Sequence, residues 1–269
     1  MAIIEKIIFK LLGGKKIEER LMKCQSYKSG SIPKWKSQTN LNWRTTIKFL
    51  QGLEIFDSPR LRGIIRNIVV DNKEIFNRNN LFITAFGKQG KSGGHIVYEF
   101  KHSQLASSKK YIHGWEVAKL PENSTILFVD DLIGTGSQST EFILEELNPF
   151  LNPSYNPYLL TICATLEGMD KIENDTNFRV ITGIVLTEEH HQHYSEKCNY
   201  FTLAEKEKLR ELNACLKNPL KEDYDKGLLV SFYYSPPNNS MPIIWKDNYP
   251  YKNRNGEEKK WFALIPREY

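Results

Sequence analysis

Cysteine is scarce: the 269 residues contain four, Cys24, Cys163, Cys198 and Cys215, far apart and without a Cys-x-x-Cys pair. That excludes a disulfide framework and a thiolate zinc site, so buried or idle thiols are expected. Long apolar runs are missing too. The N-terminal candidate, Met1 to Gly14, is broken by Glu5, Lys6 and Lys10 and falls well short of the roughly 20 apolar residues a bilayer requires. No membrane span is expected, and no secretory signal, which needs a basic start ahead of an unbroken apolar stretch. A cytoplasmic location is the expectation. There is no block of five like charges, no internal repeat and no low-complexity tract, which removes the disordered, collagen and coiled-coil classes. The net charge of +5 suits a phosphate-rich ligand or nucleic acid, but it is too dilute to decide between function classes.

What is present suffices for a core, with 40% hydrophobic and 12% aromatic residues over a length between one and two typical domains. Up to about Phe76 the apolar spacing is helical: Ile3, Ile4, Ile7, Ile8, Leu11 and Leu12 in one segment, Leu61, Ile64, Ile65 and Ile68 in another. Ser58-Pro59 opens the second, because Ser accepts free N–H groups of a first turn and Pro at the first helical position loses no hydrogen bond. From Leu81 the rhythm changes to short apolar runs, at 81–86, 125–129, 158–164, 179–186 and 228–233, with helical stretches between several of them. This alternation predicts an α/β fold, a mainly parallel β-sheet flanked by helices, preceded by an N-terminal helical section. The predicted division is a helical segment over 1–76 and a core with a C-terminal extension over 77–269.

The stretch Val129-Asp130-Asp131-Leu132-Ile133-Gly134-Thr135-Gly136-Ser137-Gln138-Ser139-Thr140 reads as strand, acidic pair, turn, helix. Ligands in parallel sheets bind beyond the carboxyl ends of strands, where Asp130 and Asp131 are expected. Gly134 and Gly136 allow a path that turns successive N–H groups inward, and Thr135, Ser137, Ser139 and Thr140 add hydroxyls beside a helix start; this is the chemistry of a phosphate cradle. Two carboxylates would repel a phosphate, so they suit sugar hydroxyls or, through water, a hard cation such as Mg²⁺. An ordinary strand-turn-helix junction with exposed Asp residues is the alternative.

The order V-D-D-L-I-G-T-G-S resembles the phosphoribosyl pyrophosphate loop of the type I phosphoribosyltransferases. The resemblance implies that Asp130 and Asp131 meet the ribose hydroxyls and that Thr135 to Ser137 hold the 5′-phosphate, with Gly134 and Gly136 shaping the loop. Gln138 departs from the family, which usually has Thr or Ser there, and this implies one weakened phosphate contact unless Ser139 substitutes. Upstream, after the predicted strand ending at Ala85, lies Phe86-Gly87-Lys88-Gln89-Gly90-Lys91-Ser92-Gly93-Gly94. In the family the earlier loop receives pyrophosphate, which implies that role for Gly87, Lys88, Gly90, Lys91, Ser92 and Gly93, with Lys91 catalytic alongside the two acids. The same residues also spell a relaxed P-loop, Ala85-x-x-x-x-Gly90-Lys91-Ser92, with 126–131 as a Mg²⁺-holding strand. That reading leaves Gly134 to Ser137 unexplained, and Gly93-Gly94 is a poor helix opening.

A third feature, Pro237-Asn238-Asn239-x-x-Pro242-x-x-Trp245 after the last predicted strand, resembles phosphoribosyltransferase-like proteins of bacterial conflict and defence loci, including retron systems, over roughly 42–245. It places Asn238, Asn239 and Trp245 as base or acceptor contacts; packing of a C-terminal turn is the alternative. Of His190, His191 and His193, His190 and His193 would share a helix face at i,i+3, but no third ligand is spaced to complete a metal site, so a polar helix start is expected. Glu167, Met169 and Asp170 follow a strand in a loop suited to contacting a base. The resemblance implies a ligand set of phosphoribosyl pyrophosphate, or another phosphorylated ribose or nucleotide, with Mg²⁺. The resemblance further implies an antiphage effector partnered by a reverse transcriptase with its nucleic acid or by a winged-helix protein. A non-catalytic sensing module that docks a partner is the second reading.

Overall fold

The computed structural model describes residues 9, 11, 13–88, 90–104, 110–217, 225–253 and 255–267. Most of the expected helix over 3–12, and Gln89 of the upstream loop, lie outside the described residues. Three helices, α1 (Gly14–Leu21), α2 (Ser31–Thr39) and α3 (Trp43–Gly52), lead to a short strand, β1 (Glu54–Phe56). Then come α4 (Ser58–Asp71), α5 (Lys73–Phe76), β2 (Leu81–Ala85), α6 (Gly93–Ser103), β3 (Thr125–Ile133), α7 (Ser137–Phe142), β4 (Asn156–Ala164), α8 (Leu166–Asp175) and β5 (Arg179–Val185). The chain closes with α9 (Leu203–Ala214), β6 (Val230–Phe232), α10 (Pro242–Trp245), β7 (Pro250–Lys252) and β8 (Glu258–Lys260). These elements form two units, Met1–Asp57 with Glu188–Tyr269, and Ser58–Thr187. The predicted boundary between 76 and 77 falls inside the second, because α4 packs with β4 and β5 and α5 packs on α4.

In the unit Ser58–Thr187, four parallel strands lie in the order β2-β3-β4-β5. Ile126 and Phe128 project to one face of β3 and Leu127 and Val129 to the other, and all four are buried, so both faces are covered. Ile126 and Phe128 join Ile143, Ile172 and Phe178 in one apolar cluster. α4 packs on α6 and β5, and α7 packs on α8. α4 begins at Ser58 as the sequence predicts, and its Ser58 and Arg62 side chains both donate to the buried carboxylate of Glu99 on α6, at 2.7 and 2.8 Å. That contact fixes the helix that issues from the upstream loop, because a buried carboxylate is tolerated only when it is paired and hydrogen-bonded.

In the other unit, β1 and β6 pair in parallel, with Ile55 opposite Ser231. The run at 228–233 is thus a strand of a separate two-stranded sheet, and not a fifth strand beside β5 that would carry 235–245 to the edge of the larger sheet. Trp35, Phe49, Leu50, Leu209, Ile243 and Trp261 are among the buried side chains of its core. A reciprocal cap opens α9: the Thr202 hydroxyl accepts from Glu205 N, and the Thr202 N–H donates to the Glu205 carboxylate. Partial burial pushes the Glu205 carboxyl up, but hydrogen bonds from Lys48, the Thr202 N–H and Thr45 outweigh it and hold the group at about 2. Among the described residues no helix is long and apolar enough to cross a membrane.

Candidate functional site

β3 carries the acidic pair, and it is longer than the sequence predicts. Pairing with β2 stops at Ala85 opposite Val129, while pairing with β4 continues through Asp130 opposite Thr161 to Ile133 opposite Ala164. Asp130 therefore lies one residue beyond the end of β2, in the space occupied by the loop from Phe86 to Gly93. Two contacts tie that loop to β3. The Phe86 N–H donates to Val129 O at 2.9 Å, and the Ser92 hydroxyl donates to Asp130 Oδ1 at 2.7 Å. Gly93 has to be glycine, since a Cβ there would stand 2.5 Å from Val129 O and 2.7 Å from Phe86 O. This close approach overrides low helix propensity, so α6 does open at Gly93-Gly94, contrary to the expectation of a poor helix start.

Asp130 Oδ1 also accepts the Asp131 N–H at 2.9 Å. Burial first, and the adjacent Asp131 carboxylate second, push the Asp130 carboxyl up to about 8, against the lowering effect of its bonds from Ser92 and the Asp131 N–H. Both causes act against the charged form of Asp130, because burial and a like charge on the next residue each disfavour a second ionised carboxylate. A cation, or the hydroxyls of a bound sugar, would relieve this. Among the described residues no group of three or more His, Cys, Asp or Glu could hold a metal ion, so the pair fits a cation only if water or ligand oxygens complete its coordination, as Mg²⁺ prefers.

After Ile133 the chain turns through Gly134, Thr135 and Gly136 into α7. Gly136 has φ +78°, a left-handed conformation that favours glycine. The Thr135 hydroxyl lies 3.4 Å from Ser137 N, while the hydroxyls of Ser137 and Ser139 have no hydrogen-bond partner among the described residues. One turn on, Thr140 Oγ1 is buried without a partner. Gln138, at the position that departs from the family pattern, is exposed. In the upstream loop Gly87 and Gly90 are also left-handed. Lys88 pairs with Glu146 at 3.0 Å, whereas the exposed Lys91 has no ion pair among the described residues.

The structure thus brings together, in one unit, Asp130, Asp131, Gly134 to Ser139, Gly87, Lys88 and Gly90 to Gly93. Asn238, Asn239 and Trp245 belong to the other unit. There Asn239 and Trp245 are buried, the Trp245 Nε1–H donates to Ser240 O at 2.9 Å, and the Arg267 guanidinium sits 5.2 Å from the Trp245 ring. The histidines lie in turns and not at a helix start: His191 faces Glu54 at 3.9 Å, and buried His193 lies 3.5 Å from Cys198 Sγ. Glu167, Met169 and Asp170 lie within α8 and not in a loop. Two residues escaped the sequence reading. Thr165 and Gly168, at the start of α8, touch the Gly134–Gly136 turn; the only sequence signal was the Thr-x-x-Gly spacing of a helix cap.

Comparison with curated proteins finds no match. Among solved structures the chain is similar to orotate phosphoribosyltransferase from Aeropyrum pernix, at 13% identity over 48% of this chain and 77% of that one, with a TM-score of 0.34. It is also similar to adenine phosphoribosyl transferase from Trypanosoma brucei, at 14% identity over 57% and 78%, with a TM-score of 0.34. The profile of the PRTase-CE family matches residues 34–267. That span contains both loops and the acidic pair, and it shows that the chain belongs to the PRTase-CE family.

Proposed function

We propose that the protein binds phosphoribosyl pyrophosphate, or a closely related ribose phosphate, with Mg²⁺ and transfers the phosphoribosyl group to an acceptor. The bond between C1 of the ribose and pyrophosphate oxygen breaks, a bond from C1 to the acceptor forms, and pyrophosphate leaves with the electron pair. The observation that carries this reading is the Asp130 carboxylate, a desolvated acid bonded by Ser92 of the upstream loop and followed within four residues by the Gly134–Ser137 turn. Leaving-group site, sugar site and phosphate site then follow one another along the ends of β2 and β3.

The work of the chain is positioning and electrostatics. Asp130 and Asp131 would orient the ribose hydroxyls and offset positive charge that develops on the ring. The amides from Thr135 to Ser137, with the hydroxyls of Ser137 and Ser139, would hold the 5′-phosphate. Lys91 would meet the departing pyrophosphate, and Lys88 would join it by exchanging Glu146 for the ligand. Mg²⁺, held by Asp130 and Asp131 through water, would supply further positive charge for pyrophosphate. Ser92 takes a different part from the one its position implied, since its hydroxyl is spent on Asp130.

The test is pyrophosphate release on incubation with Mg²⁺, phosphoribosyl pyrophosphate and nucleobase or nucleotide acceptors. Release that disappears in the Asp130→Asn, Asp131→Asn double variant supports transfer; release that survives it refutes the assignment. The exposed Gln138 in place of a hydroxyl residue favours a second reading, ligand sensing without turnover, which gives saturable binding and no pyrophosphate. The wider resemblance supports an antiphage effector acting on a nucleotide or nucleic acid beside a reverse transcriptase or winged-helix partner. Catalysis-dependent growth arrest on expression with such a partner would support it, and arrest unaffected by the double variant would oppose it.

A further inference from the structure

Thr165 sits between β4 and α8, is completely buried, and belongs to neither loop motif. Its backbone N–H donates to Ile133 O at 3.0 Å. Its hydroxyl accepts the Gly168 N–H at 3.1 Å, which caps α8, and donates to the Gly134 carbonyl. One residue thus grips two successive carbonyls at the point where β3 becomes the turn. Gly168 closes the grip from the other side. A Cβ on Gly136 would stand 2.7 Å from Gly168 O, and a Cβ on Gly168 would collide with Gly134 O and Ile133 Cγ2. The two backbones meet directly, with Ile133 Cγ2 packed beside Gly168.

A turn that holds an anion with N–H groups must keep its carbonyls turned away. The peptide group is planar and trans, so its C=O and N–H point in opposite directions. With Gly134 O bound to Thr165, the N–H of Thr135 points the opposite way within that peptide plane. We infer that Thr165 is a positioning residue that sets the Gly134–Thr135 peptide, and with it the affinity of the turn for a sugar 5′-phosphate, with Gly168 as the close-packed backstop. The inference rests on the reading of this turn as the 5′-phosphate site. It adds that the site is built by two strand-end loops, the second of which touches no ligand.

Calorimetric titration of the full chain with ribose 5-phosphate, and separately with inorganic pyrophosphate plus Mg²⁺, tests it. Thr165→Val leaves the buried Gly134 carbonyl without its donor, and ribose 5-phosphate affinity should fall about tenfold or more. Pyrophosphate affinity should stay within about twofold, and Thr165→Ser, which keeps the hydroxyl, should restore the first. Gly168→Ala, which keeps the cap but crowds Gly134 O, should show the same selective loss. In the native chain, where no variant has to fold, ribose 5-phosphate should slow hydrogen exchange at the Gly168 amide together with the amides of 135–140. Equal affinities in Thr165→Val, loss of both ligands alike, or slowed exchange confined to 135–140 would overturn the positioning role and leave the proposed function standing. Failure of the native chain to bind ribose 5-phosphate at all would overturn both.

Discussion

Asp130→Asn should make the protein more stable and functionless at once. The carboxyl is pushed up to about 8 by burial and by Asp131, from an ordinary unfolded value near 3.8. Between those two values the folded state holds a proton that the unfolded chain has released. Stability attributable to this group is therefore full below about pH 4 and is lost as pH rises to about 8. At about 1.4 kcal/mol per tenfold change in proton affinity the ceiling is several kcal/mol. Solvent screening and local relaxation reduce it, and about 2 kcal/mol at pH 8 is the expected net effect. Asparagine keeps the Oδ1 acceptor for Ser92 and the Asp131 N–H while removing the charge. With EDTA present to exclude divalent cations, thermal melts at pH 5 and pH 8 should show little difference between native and variant at pH 5. At pH 8 the variant should melt higher by about 4–8 °C. Pyrophosphate release should be absent in the variant at either pH. A variant less stable than the native chain at pH 8, or equally displaced at both pH values, would refute the claim that burial and the Asp131 carboxylate disfavour an ionised Asp130.

Other expectations follow from named contacts. Burial, then His191 and Lys206, push the His193 imidazole down to about 4, so native stability should fall as pH drops from about 6.5 to about 4, by up to about 3 kcal/mol; urea midpoints of the native chain and His193→Gln should converge towards pH 4. Gly136→Ala combines a left-handed φ of +78° with a contact at 2.7 Å to Gly168 O. It should cost about 1–3 kcal/mol in chemical denaturation and abolish ribose 5-phosphate binding by calorimetry. Lys91→Ala removes an exposed cation without an ion pair among the described residues, and should weaken pyrophosphate binding at least about tenfold while leaving ribose 5-phosphate affinity unchanged and fold stability within about 0.5 kcal/mol.

The parts of this site that lie close in sequence were legible, and the parts assembled by the fold were not. Apolar residues before the acids, glycines after them and hydroxyls at a helix start are local properties of 126–140, and they predict β3, the turn and α7. Charged residues seldom continue a buried strand, so the local pattern ends it at the acids; β4 overrules this by pairing with Leu132 and Ile133. Thr165 contributes through a contact with Gly134 across 31 residues of chain, which no window of sequence displays. The run at 228–233 illustrates the converse. Its apolar residues correctly predict a strand, but nothing within it says that the partner is Glu54–Phe56 and not the larger sheet. Gly93 was misjudged by propensity alone, since its value lies in the absent Cβ beside Val129 and Phe86.

The central claim is that an acid pair and an amide-lined turn, set by one sheet, share a phosphorylated ribose. Amide chemical-shift mapping of the full chain during titration with ribose 5-phosphate and Mg²⁺ tests it most directly. The account expects the largest, saturable shifts at Asp131 and at the amides of Gly134 to Ser139, with smaller ones at Ser92. Shifts confined to the unit Met1–Asp57 with Glu188–Tyr269, or no saturable shifts at all, would contradict it.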